Sequence, residues 1–284
     1  MRKSQIIALF FRWMKDESYL KMIYWIKFKQ KLDLKNPKTF NEKINWLKIH
    51  NRNPLFTKMA DKIDAKTYIE EILGTTDYTV PTLGVWDKPE EIDYSSLPEQ
   101  FVLKCNHDFR STVIIQDKSK IAKTKIAKFL SGNLKDNYFW PAREWVYKNI
   151  KPRILAEQFL GENIYDYRIW TINGKAKFIV IDVDKTTNHV RYIFDPNWNQ
   201  LNFSINKLPG NHWPRKPDKL NKMVEIAEKL AQCSPFLRVD FYVVDQKIYV
   251  GELTFYPIAG LAKFYPADYN LKIGDLLHLP KKTE

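Results

Sequence analysis

Apolar positions in this chain recur at helical spacing first and at strand spacing later. Between residues 4 and 31, Phe10, Phe11, Trp13, Tyr19, Met22, Ile23, Trp25, Ile26 and Phe28 interleave with Lys15, Lys21, Lys27, Lys29 and Lys31. That pattern predicts a basic, aromatic-rich helix. In residues 36–49, Thr39 stands three positions before Glu42, the spacing of a capping box, and Ile44, Trp46, Leu47 and Ile49 follow. A further helix is expected over residues 54–73, with Pro54 in its first turn and Gly74 as its stop. Residues 80–86 read as a short strand and residues 87–100 as a turn-rich linker, where a boundary is placed.

From Phe101 the period shortens. Residues 101–105 and 112–115 are apolar runs around a polar loop, residues 106–111, and a basic helix is expected over 120–130. Strands follow at 153–159 and 167–172, then the hairpin signal Asn173-Gly174, then strands at 177–183 and 190–194. Residues 218–232 predict an amphipathic helix with Leu220, Met223, Ile226, Ala227 and Leu230 on one face. Two strands, 238–241 and 249–254, close the chain around a turn at Asp245-Gln246-Lys247. No repeat or low-complexity stretch interrupts this order, which predicts an α+β fold: helices first, then mixed antiparallel structure.

A chain of 284 residues, 44% hydrophobic and 14% aromatic, can bury a sizeable core and is not depleted enough to be disordered. A net charge of +13 with pI near 9.4 predicts affinity for something acidic: a nucleotide, an anionic glycan, a membrane surface or nucleic acid. No compact basic–aromatic motif supports specific nucleic-acid binding. Cys105 and Cys233 read as two small buried hydrophobes in a reducing compartment. The run Ile6–Phe11 is too short to span a bilayer, and no cleavage site follows it, so the cytoplasm is the expected location. The helix over residues 4–31 reads either as packed on the body or as a peripheral contact with the inner face of the membrane.

The closing hairpin carries the sharpest chemistry. Asp240 and Glu252 each interrupt an apolar strand, and alternation lets them meet on one face. Two carboxylates that close repel unless a cation lies between them. Mg²⁺ is the fitting cation, because it takes one or two carboxylates and completes its shell with water and phosphate oxygens. Lys104, at a strand end, can reach a phosphate. Glu157 precedes a bend that can offer backbone groups to a base, and Asp166 beyond it can hold ribose hydroxyls. Arg168, Lys177 and Arg191 fall on successive strands and line a basic groove if their faces match. Arg238 shares a strand face with Asp240, either as a structural ion pair or as part of a site. His107 is a base or a polar loop residue. The histidines show no zinc-ligand spacing, and no Gly-rich phosphate loop is present.

Taken in order, Asp61-Lys62, Phe101-Val-Leu-Lys104, Glu157-Gln-Phe-Leu160 with Asp166, and Asp240 with Glu252-Leu-Thr254 resemble an ATP-grasp enzyme. Asn36-Pro-Lys-Thr-Phe-Asn-Glu-Lys43, Phe101-Val-Leu-Lys-Cys-Asn-His107, Lys151-Pro-Arg-Ile-Leu-Ala-Glu157 and Gly251-Glu-Leu-Thr-Phe-Tyr-Pro257 resemble its teichuronopeptide-biosynthesis (TupA-like) branch. The resemblance implies a helical region at 1–95, a smaller lobe at 96–157 and a larger lobe at 158–284, gripping ATP between antiparallel sheets. It implies that Lys104 contacts phosphates, that Glu157, Phe159 and Leu160 form the hinge reading adenine, and that Asp166 holds the ribose. Asp240, Glu252 and Thr254 would hold Mg²⁺, Thr254 standing where many relatives have an Asn. Arg238 would face the γ-phosphate or acyl phosphate, with Arg168, Arg191 and His107 as further candidates. One departure stands out: relatives close a Gly-Ser-Gly loop over the phosphates, and this chain has Asp108-Phe-Arg-Ser111. Fewer glycines limit positive φ, and Asp108 adds like charge, which Arg110 can offset as a phosphate contact. Either the loop grips ATP differently or nucleotide binding is weakened.

The resemblance implies an ATP-dependent carboxylate–amine ligase joining an amino acid or amine to a uronic acid of a surface, capsular polysaccharide or its precursor. Alternatives are a glycan kinase, a glycosyltransferase-like enzyme of capsule assembly, and a degenerate domain that binds an acidic polymer.

Overall fold

The computed structural model describes residue 8 and residues 10–162, 164–183, 190–206 and 214–282. Helix α1, Asp16–Phe28, covers only part of the helix expected over residues 4–31; residues 4–7 and 9 lie outside the described residues. Its start is set by Asp16 and Glu17 in the first turn, where acids suit the helix dipole. Asp16 pairs with the guanidiniums of Arg52 at 2.7 Å and Arg143 at 3.1 Å, which holds α1 to the body. Helix α2, Phe40–His50, has the expected capping box, with Thr39 and Glu42 exchanging backbone hydrogen bonds.

The single helix expected over residues 54–73 is two: α3, Pro54–Ala60, and α4, Asp64–Leu73. The break has a local cause. The Asp61 carboxylate accepts from the Ile63 N–H at 2.8 Å, from Asn106 Nδ2 at 2.7 Å and from Arg153 Nη2 at 3.1 Å. A side chain that bonds backbone N–H groups ahead of it ends one helix and starts another. Gly74, at φ 73°, ends α4 as expected.

A four-stranded antiparallel sheet has the order β1 (Thr82–Trp86), β4 (Ile154–Gln158), β2 (Phe101–Cys105), β3 (Val113–Ile115). It therefore takes one strand from before residue 96. Phe101, Leu103 and Cys105 alternate into a small core shared with Ile126 and Leu130 of α5, Lys123–Leu134. Val102 and Lys104 point to the other face, and Val102 pairs in register with Glu157. A short helix, α6 (Phe139–Ala142), precedes β4.

The larger sheet is antiparallel with the order β10 (Lys247–Thr254), β9 (Phe236–Val244), β5 (Tyr167–Ile172), β6 (Lys175–Val183), β7 (Val190–Phe194). Helix α7, Leu220–Leu230, packs on one face through the five residues the periodicity marked. The N-terminal helices share this core: the Phe40 ring lies 5.4 Å from Trp170 and 5.3 Å from Phe236. The hairpin turns are two residues long with φ positive at both positions, Asn173-Gly174 (50°, 74°) and Asp245-Gln246 (48°, 63°), the twist that antiparallel pairs favour. Strand β8 (Ser204–Ile205) pairs with β11 (Phe264–Tyr265), and α8, Tyr269–Leu276, packs against α2. One cysteine departs from the expectation of burial. Cys105 is buried, but Cys233 is exposed at the end of α7, where its Sγ lies 3.4 Å from Tyr68 Oη. Among the described residues no helix is long and apolar enough to cross a membrane.

Candidate active site

A cavity of about 850 Å³ opens between the two sheets. From the smaller sheet come Val102, Lys104, Ile114 and Glu157; the segment leaving β4 adds Phe159 and Leu160; Asp166, Asp182 and Tyr242 close it from the larger sheet. Lys104 reaches this face by strand alternation, since its neighbours Leu103 and Cys105 are committed to the core. Its Nζ pairs with Glu157, and Lys66 on α4 pairs with the same carboxylate at 2.8 Å. Burial alone would push the Glu157 carboxyl up, but Lys104 and Lys66 outweigh it and hold it below the ordinary range. Burial also pushes the Lys66 ammonium down, against Glu157. One acid thus pins two ammonium groups beside an apolar pocket.

The second half of the site lies on β9 and β10. Glu252 sits directly opposite Asp240 in register, and a bulge between Val250 and Glu252 sets that pairing. Gly251 occupies the bulge because a Cβ there would lie 2.5 Å from the Tyr242 ring, which lines the cavity. Arg238 grips Asp240 with Nε and Nη2, both at 2.6 Å, and Nη2 lies 3.6 Å from Glu252. Arg168 Nε lies 3.7 Å from Asp240, and Lys62 Nζ lies 3.1 Å from Glu252. Burial pushes the Asp240 carboxyl above its ordinary value, with Arg238 opposing and Glu252 adding to it. Burial also acts upward on Glu252, but Lys62, Arg238 and Lys104 outweigh it and hold that carboxyl low. Thr254, opposite Arg238 in register, is buried two residues beyond Glu252.

Asp182 organises the neighbouring arginines. Arg191 donates to it from Nε at 2.6 Å and Nη2 at 2.8 Å; Arg168 Nη1 bonds the same carboxylate, and Arg168 Nη2 reaches Asp166 at 3.1 Å. Burial pushes the Asp182 carboxyl up, but Arg191 and Arg168 bring it far below the ordinary range. The expected basic groove of Arg168, Lys177 and Arg191 is corrected on two counts. Lys177 sits in a bulge of β6 between Ala176 and Phe178 and acts on the Glu228 carboxylate of α7, and both remaining arginines are bonded to Asp182.

The loop at residues 106–111 resolves the missing glycines. Asp108 is 2% exposed, and its Oδ1 accepts from Ser111 N at 3.1 Å, Ser111 Oγ at 2.5 Å and Arg110 N at 3.3 Å. Cys105 N donates to Ser111 Oγ at 2.6 Å. The Asp108 carboxylate therefore folds into its own turn rather than adding charge outward, and none of residues 106–111 has a positive φ. Lys62 Nζ bonds the Asp108 carbonyl as well as Glu252, joining this loop to the carboxylate pair. Arg110 is exposed, its guanidinium carbon 5.1 Å over the Phe109 ring. His107 is 2% exposed, with Nε2 3.0 Å from the Asp136 carbonyl and its ring edge-on to Tyr138; burial pushes its pKa down.

The sequence matches the family model described as TupA-like ATPgrasp over residues 42–278. The chain belongs to this family. Among solved structures it is similar to D-alanine–D-alanine ligase from Bacillus anthracis complexed with ATP, at 15% identity over 77% of this chain and 64% of that one, TM-score 0.46. The ligase of the same name from Helicobacter pylori shares 16% identity over 78% of this chain and 61% of that one, TM-score 0.44. N5-carboxyaminoimidazole synthetase from Staphylococcus aureus shares 14% over 69% and 44%, TM-score 0.40. The chain spans less than two thirds of the length of these three proteins. No curated protein matches the sequence.

ATP-grasp ligases use ATP and Mg²⁺, and the donor set of this TupA-like member fits both. Asp240 and Glu252 are two facing carboxylates whose charge is now met by Arg238, Arg168 and Lys62, and that suits a hard divalent cation completed by phosphate oxygens and water. Among the described residues no group of three or more His, Cys, Asp or Glu is placed to hold a metal ion.

The tertiary structure adds members that sequence reasoning assigned no role. Lys62, in the break between α3 and α4, pairs with Glu252, and Lys66, in the first turn of α4, pairs with Glu157, a placement that depends on the break at Asp61. Asp182 and Tyr242 carry no local signal. Glu144, at the start of the turn Trp145–Tyr147, also lies in the field of Glu252; burial pushes its carboxyl up to about 7, with Lys48 opposing.

Proposed function

We propose that this chain is an ATP-dependent carboxylate–amine ligase. The observation that supports it best is a cavity lined by Lys104, Glu157, Phe159 and Leu160 next to the hairpin on which Asp240 and Glu252 face each other, Tyr242 of the same strand as Asp240 lining that cavity. In this reading the backbone of residues 157–160 reads adenine, Asp166 holds the ribose and Lys104 takes a phosphate oxygen. A carboxylate oxygen of the acceptor attacks the γ-phosphorus, the bond to ADP breaks, and an acyl phosphate forms. The nitrogen of a neutral amine then attacks the acyl carbon, phosphate leaves, and the surplus amine proton goes to solvent, giving an amide. Arg238 and Arg168, held by Asp240 and Asp182, stabilise the charge on the transferring phosphoryl group without having to reorganise. Asp240 and Glu252, with Thr254 alongside, would hold Mg²⁺, which would supply neutralisation of the phosphate oxygens.

For the acceptor we propose a uronic acid of a bacterial surface polysaccharide or its precursor, joined to an amino acid or amine. The TupA-like family and a net charge of +13, which favours an acidic glycan, support that choice. The test is ADP release by the purified protein with Mg-ATP, a panel of uronic acids and a panel of amines. Release that needs both co-substrates, and is lost in Asp240→Asn, is the expected result. Release with the sugar alone, leaving phosphate on it, replaces the ligase by a glycan kinase.

A further inference from the structure

The outward side of α1 is not the polar surface that a helix packed on a soluble body normally presents. Tyr19, Leu20 and Tyr24 are buried, and at about 100° per residue the opposite side carries Met22, Trp25 and Ile26. Trp25 is 53% exposed and Ile26 56%, and just before the helix Trp13 is 80% exposed and Phe10 73%. We propose that residues 10–31 dock on the surface of an anionic lipid bilayer, with these rings at headgroup depth.

Charge selects the partner. Residues 10–31 hold six cations, Arg12, Lys15, Lys21, Lys27, Lys29 and Lys31, against two acids. Both acids are already committed, Asp16 to Arg52 and Arg143 and Glu17 to Lys21 at 2.6 Å. The five lysines are exposed, and Lys29 Nζ lies 4.4 Å over the Trp25 ring. Lysine stems can carry ammonium groups up to lipid phosphates while aromatic and aliphatic side chains enter below them. An acidic polysaccharide would use the lysines and can stack on tryptophan, but has no use for exposed Ile26. The surface is also preformed. Arg143, fully buried, stacks 4.1 Å over Tyr19 and donates to the Phe11 carbonyl at 2.9 Å, so α1 need not order on binding.

The test is flotation of the full chain with vesicles of phosphatidylcholine alone or mixed with phosphatidylglycerol. Binding is expected to the mixed vesicles, to weaken with salt, and to fall at least about tenfold in the Trp13→Ser/Trp25→Ser/Ile26→Ser variant. Leu271→Ser, at an exposed leucine on α8, is expected to bind like the parent. If the triple variant melts at a lower temperature, Lys27→Glu/Lys29→Glu leaves the apolar side chains in place and is expected to lose binding. No flotation, full binding by either variant, or binding of soluble acidic polysaccharide in place of vesicles overturns the proposal. So does dimerisation in solution that the triple variant abolishes.

Discussion

Glu157 shows how one residue can couple stability to the site. It is nearly buried and satisfies two ammonium groups that would otherwise repel each other. Glu157→Gln leaves Lys66 and Lys104 without their counter-charge, and removing one member of a buried ionic cluster costs about 3–5 kcal/mol. A urea midpoint measurement is expected to show that loss. The pH dependence follows from the same residue. Its folded pKa is depressed, so its contribution is complete above the unfolded value near 4.5 and is lost as pH falls through the lower folded value. Asp182, depressed by Arg191 and Arg168, acts with the same sign. Stability is therefore expected to drop below about pH 4.5, and to drop less steeply in Glu157→Gln when unfolding is followed from pH 7 to pH 3. At the proposed metal pair, Asp240→Asn is expected to cost at least the ~100-fold that loss of an outer ligand contact can cause. Titration with Mg²⁺ at fixed ATP would reveal it as a loss of Mg-dependent binding.

At the scale of elements, the break between α3 and α4 is a positioning device. Asp61 bonds Ile63, Asn106 and Arg153 and so ties the helix pair to the loop after β2, which places Lys62 between Asp108 and Glu252. Asp61→Ala strands those donors, and each buried donor left unsatisfied costs about 1–3 kcal/mol. We expect a lower melting temperature together with weaker ATP binding by calorimetry; a variant that melts early but binds ATP like the parent would separate the break from the site. The closing hairpin offers the opposite sign. Gln246 holds φ at 63°, which glycine adopts without strain. Gln246→Gly is expected to add about 1 kcal/mol and raise the melting temperature by about 2–4 °C, with the Asp240–Glu252 register unchanged.

Over the whole molecule the proposed nucleotide site lies between two sheets with separate cores, so a ligand there should bind them into one unit. At 100 times its dissociation constant, Mg-ATP adds about 2.7 kcal/mol to the folded state. The corresponding thermal shift is expected to be accompanied by slower amide exchange in both β2–β4 and β9–β10. Protection confined to one sheet would place the nucleotide elsewhere.

The sequence by itself determined whatever depends on near neighbours. Period, capping and turn residues placed the capping box at Thr39, the two-residue turn at Asn173-Gly174 and the buried face of α7, because those signals act within a few residues, whereas the turn expected over Asp245-Gln246-Lys247 is one residue shorter, Lys247 already pairing with Val244. With a two-residue turn, alternation alone sets Asp240 against Gly251, and the bulge at Gly251 is what brings Glu252 opposite Asp240. Only the tertiary structure decided which distant groups complete that pair. Lys62 lies 190 residues from Glu252, and the Asp61 carboxylate at the helix break is completed by Asn106 and Arg153, folded against it from far along the chain. The same holds for Asp182, whose carboxylate is shared by Arg168 and Arg191. Coulomb interactions follow separation in space, and folding, not position along the chain, sets that separation.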